Sequence, residues 1–339
     1  MKALQITAPG RTEITDIPQP SPRVGEALLR VRSVGFCGSD LSTFQGRNPM
    51  VSYPRIPGHE IGGTIVSLGE GVPVEFRVGI DVTVVPYSNC GQCASCRRGR
   101  AYACKGNQTL GVQRDGAMTE YICVPWEKLI AVTGLGVREL SLVEPLTVGF
   151  HAARRGRVEA ADIVAVFGCG MIGLGAIAGA ASAGATVIAI DIDDEKLSLA
   201  KSLGALHGVN SKKEKLHERL QELSGGHGPD LIIEAVGNPL TYRAAVDEVA
   251  FTGRVVCIGY AKDEVSFATK LFVQKELDIM GSRNAAPEDF MRVAKYLQTT
   301  AFPYDRVISR EVSIDQAGQA LAEWSANPSL ITKILVKLD

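Results

Sequence analysis

The stretch Ile163-Val164-Ala165-Val166-Phe167-Gly168-Cys169-Gly170-Met171-Ile172-Gly173 leaves this chain few folds to choose from. A run of buried-type apolar residues meets a Gly-x-Gly-x-x-Gly turn with nothing in between. A small-residue, helix-compatible stretch, 174–183, follows at once. Residues 186–190 then predict a second strand, ending at Asp191. Two strands joined by a helix in so short a span make a parallel crossover. The rhythm continues with a helix over 194–203, a strand over 230–235, a helix over 242–249 and a strand over 254–259. That alternation predicts a doubly wound parallel sheet.

The turn also has chemical content. Gly168 permits a tight turn, Gly170 removes a side chain where a pyrophosphate must approach, and Gly173 lets the helix lie close to the sheet. The helix N-terminus then offers unpaired N–H groups and a partial positive charge. Asp191 lies 18 residues after Gly173. Its carboxylate can accept both hydroxyls of an adenosine ribose and would repel a 2′-phosphate, and no Arg follows it directly. The expected cofactor is NAD rather than NADP, held by Gly168, Gly170, Met171, Ile172, Gly173 and Asp191. A glycine turn of purely structural use is the blander alternative.

Upstream lie Cys37-Gly38-Ser39-Asp40 and Gly58-His59-Glu60. A thiolate, an imidazole and a carboxylate form a mixed donor set, which suits an open catalytic zinc better than a closed structural one. Alone, Cys37 would read as a small buried residue and His59 as a hydrogen-bonded core histidine. A second cluster, Cys90, Cys93, Cys96 and Cys104, has two successive two-residue gaps in a stretch poor in apolar residues. Such a loop needs another source of order. Four thiolates around a tetrahedral zinc supply it, and four unligated cysteines are the alternative. The other cysteines, Cys123, Cys169 and Cys257, sit in apolar or turn contexts and read as inert.

The chain has 339 residues, enough for two domains. Residues 1–85 read as short β segments of a barrel-like or partly open domain, and the tail from about 285 is expected to return to it. The expected domains are 1–147 with 285–339, and 148–284. A net charge of −1 sets up no field for nucleic acid or anionic lipid. The longest apolar stretch, 163–190, is broken by glycines and predicts no bilayer span. The first residues read as a strand rather than a signal peptide, so a cytoplasmic protein is expected.

With these motifs, and with Glu144-Pro145, the whole chain resembles the zinc-dependent medium-chain dehydrogenases/reductases, in the sorbitol and threonine dehydrogenase branch. The resemblance implies an α/β protein with a GroES-like β-rich catalytic domain and a Rossmann NAD-binding domain. It implies two Zn2+ ions per chain, one catalytic and one structural, and a homodimer or homotetramer. Cys37 and His59 are then zinc ligands, with Glu60 or Glu144 as the carboxylate partner. Ser39 corresponds to the hydroxyl that accepts the substrate proton. Where threonine dehydrogenase-like members carry a His two positions after Asp40, this chain has Ser42, so release through the ribose and water replaces a His relay. His207, His217 and His227 fall in the nucleotide domain, and His151 reads as structural. The nicotinamide is expected near 256–259, at Gly259, and near Ser282.

The stretch 281–290 resembles L-galactonate dehydrogenase-like members. There Arg283 is a candidate for a sugar-acid carboxylate, for orienting the nicotinamide or for binding another subunit. Arg47 and Arg55 are further candidates. The implied reaction moves a hydride from a secondary alcohol of a small polyol or sugar acid, galactonate-like, to NAD. A zinc-free quinone or enone reductase on the same fold is one alternative. It would not need Cys37, His59, Glu60 and Glu144 together, and it prefers NADPH. A non-catalytic binding protein is the other, and it would not need to keep both the ligand set and the nucleotide turn.

Overall fold

The computed structural model describes residues Met1–Leu338. Asp339, the last residue of the expected first domain, lies outside the described residues. The chain divides into two units, Met1–Pro145 with Ala286–Asp339, and Leu146–Ala285.

In chain order the first unit opens with strands β1 (Lys2–Ala8), β2 (Arg11–Asp16), β3 (Glu26–Gly35), β4 (Glu60–Leu68), β5 (Asp81–Val84), β6 (Tyr121–Pro125) and β7 (Leu129–Ala131). The second unit carries β8 (Ile163–Phe167), β9 (Thr186–Asp191), β10 (His207–Asn210), β11 (Leu231–Glu234), β12 (Arg254–Cys257) and β13 (Asp278–Gly281). The chain then returns to the first unit with β14 (Ile308–Ser313) and β15 (Lys333–Lys337).

The first unit is built on a seven-stranded sheet, ordered β14-β15-β3-β4-β5-β7, with β6 also paired to β3. Only β14 and β15 run parallel. The core takes the alternating apolar residues of the strands, such as Leu29, Val31, Ile61 and Ile65. The helix Ile314–Ala326 adds Ile314, Ala317, Ala320, Leu321 and Trp324, a stripe at helical spacing that faces this core. Register decides where the motifs fall. Gly35 pairs with Glu60, and Leu335 pairs with Gly35. The end of β3, the start of β4 and the first half of β15 therefore meet at one end of the sheet.

The second unit is a six-stranded, wholly parallel sheet ordered β10-β9-β8-β11-β12-β13. Strand order reverses between β8 and β11, and a crevice for a ligand opens at such a switch point. Val164, Ala165, Val166, Val187, Ile188, Ala189, Ile232 and Ile233 are all buried, as strands covered on both faces must be. The two outermost strands, β10 and β13, were not expected from the sequence. Among the described residues no helix is long and apolar enough to cross a membrane.

Candidate active site

Cys37 caps the N-terminus of the helix Gly38–Phe44, two residues beyond the end of β3. Asp40, in the first turn of that helix, accepts the Cys37 N–H at 2.8 Å and the Gly58 N–H at 3.3 Å. One buried carboxylate thus ties the two motifs together. Donor atoms of Cys37, His59 and Glu60 lie within 4.8 Å of one another. The buried Nδ1 of His59 and Oγ of Ser39 have no hydrogen-bond partner among the described residues. A buried polar atom left unpaired costs free energy, so each asks for a ligand. A sulfur, a nitrogen and an oxygen converging where the His59 Nδ1 lacks a partner fit a zinc ion.

Both carboxylates considered for that ion already have holders. The Lys333 ammonium lies 2.6 Å from each oxygen of Glu60 and 3.0 Å from the Phe36 carbonyl. Glu144, in the first turn of the helix Val143–Arg155, accepts a hydrogen bond from the Tyr87 hydroxyl. Both pairs are buried. Burial pushes the Glu60 carboxyl up to about 7, opposed by Lys333 and reinforced by the charge of Glu144. For His59, burial works downward, but Cys37, Glu144 and Asp40 outweigh it and raise the imidazole well above its ordinary value. Burial, then Glu144, keeps Tyr87 protonated and able to donate. Sequence reasoning did not find Lys333 or Tyr87. Neither lies in a motif, and only the register of β15 beside β3 reveals Lys333.

The four cysteines of the loop also converge. Their sulfurs lie 3.5 Å apart for Cys93–Cys96, 3.8 Å for Cys93–Cys104 and 3.5 Å for Cys104–Cys90. Sulfurs at tetrahedral corners around zinc, at about 2.3 Å each, stand about 3.8 Å apart. None of the four is in a disulfide. The cluster has the dimensions of a structural zinc site.

In the second unit, Gly168 takes φ +91°, a left-handed conformation open to glycine. A Cβ on Gly173 would lie 1.8 Å from the Gly168 carbonyl oxygen, whereas one on Gly170 would meet nothing within 4 Å. Gly170 caps the helix Met171–Ser182, so the space before that helix stays clear for a phosphate group. Asp191 ends β9 and accepts the N–H groups of Cys169 and Ile192, both at 2.7 Å. These bonds fix its carboxylate at the turn. Gly259 follows β12, where a Cβ would collide with Gly237 N at 2.2 Å. Ser282 follows β13 with its buried hydroxyl unpaired among the described residues.

Of the arginines considered for a substrate, Arg55 is committed to Asp115 at 2.9 Å. Arg47 is exposed, and Arg283 belongs to the second unit. His151 is buried, and His217 pairs with Glu248 at 2.8 Å. Burial raises the thiols of Cys123, Cys169 and Cys257, which keeps them protonated and unreactive at neutral pH.

Residues 23–134 match the alcohol dehydrogenase GroES-like domain, and residues 172–299 match the family described as zinc-binding dehydrogenase. The L-galactonate-5-dehydrogenase of Escherichia coli K12 is 35% identical over 86% of this chain and 85% of its own length. The sorbitol dehydrogenase of Halalkalibacterium halodurans is 32% identical over 98% of this chain and 100% of its own. Among solved structures, the rspB alcohol dehydrogenase of E. coli CFT073, complexed with NADH, superposes with a TM-score of 0.92 at 30% identity. That match covers 100% of this chain and 99% of the other. Such likeness runs through both units and is carried by sequence as well as by fold: the chain belongs to the zinc-binding alcohol dehydrogenase family.

Proposed function

We propose that this protein oxidises a secondary alcohol of a small polyol or sugar acid, with NAD as hydride acceptor and zinc at the Cys37–His59 site. The observation that carries the reading is the convergence of Cys37, His59 and Glu60 beside a buried His59 Nδ1 without a partner. The substrate class follows relatives named for L-galactonate and sorbitol. The catalytic unit comprises 1–147 with 285–339, and the NAD-binding unit 148–284. A homodimer or homotetramer working in the cytoplasm completes the proposal.

Bound there, the zinc supplies a Lewis acid to the alcohol and NAD a hydride acceptor. The rest falls to the chain. Cys37 and His59 hold the ion, with Glu60 or Glu144 as the third protein ligand. Cys90, Cys93, Cys96 and Cys104 hold a second zinc that orders their loop. The Ser39 hydroxyl has no competing partner among the described residues and is free to accept the proton of the substrate hydroxyl. With Ser42 at the position of a relay histidine, that proton leaves by way of the ribose and water. Gly168, Gly170, Met171, Ile172 and Gly173 receive the pyrophosphate, Asp191 the adenosine ribose, and Gly259 and Ser282 the nicotinamide end. Arg283 orients the nicotinamide or meets the substrate.

The test follows NADH absorbance across polyols, aldonates and simple secondary alcohols, with and without a zinc chelator. Chelator-sensitive turnover that disappears in Cys37→Ser, with NAD still bound, is the expected result. Turnover that survives both chelator and substitution would favour the zinc-free reductase instead.

A further inference from the structure

Arg114 and Lys128, both in the first unit, are half-buried cations with no acid in ion-pair contact. Among the described residues neither side chain makes a hydrogen bond or an ion pair, and the Arg114 Nε is buried with no partner. The adjacent acid, Asp115, is taken by Arg55 and by the Ile56 N–H. Glu127, beside Lys128, is exposed to solvent. Burial draws both cations below their ordinary values, and for Lys128 the nearby Arg114 charge draws it further, against a smaller upward pull from the exposed Glu127. A fold gains nothing by desolvating two like charges together. Such a pair makes sense when an anion completes it.

Their place ties them to the metal constellation. The turn bearing Arg114 is pressed at both ends onto the peptide that leads into His59. A Cβ on Gly111 would lie 2.6 Å from Gly58 N, and one on Gly116 would lie 2.3 Å from Gly58 O. Lys128 accepts the Val85 N–H at 2.8 Å through its carbonyl, two residues before Tyr87, which holds Glu144. Leu110, bridged to Arg114, donates to the Pro86 carbonyl at 3.1 Å. Both cations are thereby anchored to segments that run into the site.

We propose that Arg114 and Lys128 form an oxyanion subsite that receives the carboxylate or phosphate end of an acidic polyol substrate. This rests on the polyol oxidation proposed above. It moves the recognition of that anion from Arg283 to the first unit. Arg114 presents a planar fork suited to a carboxylate or phosphate, and Lys128 adds a point charge.

The test compares the zinc-loaded wild type with Arg114→Gln and Lys128→Gln on a six-carbon aldonate, a polyol phosphate and the matching neutral hexitol. The ratio of kcat/KM for the acidic substrate to that for the hexitol should fall about thirtyfold in Arg114→Gln. Lys128→Gln should lower it less, and Arg114→Lys should restore part of it. The larger loss, on aldonate or on phosphate ester, identifies which anion the subsite takes. Without ligand, Arg114→Gln should melt at the wild-type temperature or above, since an uncompensated cation has been removed. An unchanged ratio, or a lower melting temperature with equal loss on every substrate, would overturn the subsite.

A thermal-shift titration with the aldonate and with inorganic phosphate separates this inference from the catalytic one. If nothing is oxidised, the proposed reaction fails. An anion-dependent rise in melting temperature that Arg114→Gln abolishes would still uphold the subsite, and the same rise in wild type and variant would refute it.

Discussion

Lys333 and Glu60 are 273 positions apart in the chain, yet the ammonium lies 2.6 Å from both carboxylate oxygens, with each side chain at most 3% exposed. Two charges taken so far out of water hold each other in place, and removing one leaves the other uncompensated. Lys333→Met should therefore cost about 3–5 kcal/mol in denaturant unfolding of the metal-free protein near pH 8, where Glu60 is ionised. The double variant Lys333→Met with Glu60→Gln should recover most of that loss. A double variant as unstable as the single one would mean that Lys333 acts through packing alone. The donor atoms at this site were legible in the sequence, because Cys37, His59 and Glu60 carry their chemistry in their identities. Lys333 was not legible. A lone lysine in a strand reads as solvent-exposed, and nothing local marks it as the counter-charge of a distant glutamate.

At the scale of elements, legibility followed apolar content. Strands β8, β9 and β11 announce themselves by runs of three or more Val, Ile, Ala and Leu residues, and β12 by Val255-Val256 beside Cys257. The edge strands β10, His-Gly-Val-Asn, and β13, Asp-Ile-Met-Gly, carry no such run. They are strands because β9 and β12 offer them a ladder, a tertiary cause that local propensity cannot show. The turn between β8 and the helix Met171–Ser182 was legible because Gly168 takes φ +91° and a Cβ on Gly173 would collide with the Gly168 carbonyl, while Gly170 leaves open space. Asp191 is tied to that turn through the Cys169 N–H. Asp191→Ala should weaken NAD by roughly tenfold and bring NADP closer to parity, as measured by fluorescence titration of the two cofactors. An unchanged preference would show that the ribose is held elsewhere. The four-cysteine loop obeys a different rule, having donor atoms where a core would be. Cys96→Ser should lower zinc content to one ion per chain and lower the melting temperature. A fully stable variant with that zinc missing would show that the loop needs no metal to fold.

For the whole molecule, metal, protons and stability are one linked equilibrium. Asp40, His59 and Glu60 all have native values raised above their ordinary ones. In each case the native metal-free protein keeps a proton that the unfolded chain has released, so stability falls as pH rises. For Glu60 the window runs from its ordinary 4.5 to about 7. For His59 the contribution is complete below 6.5 and is lost as pH rises through its raised native value. A bound cation acts in the opposite direction. It needs deprotonated ligands, so its affinity grows as those protons leave. Stripping the zinc should therefore cost little melting temperature near pH 5.5 and much more near pH 8. The gap between loaded and chelator-treated protein, followed by calorimetry at matched ionic strength, should widen steadily across that range. A gap independent of pH would mean that no proton is exchanged for the metal, and that the buried acids and the imidazole are not where it binds.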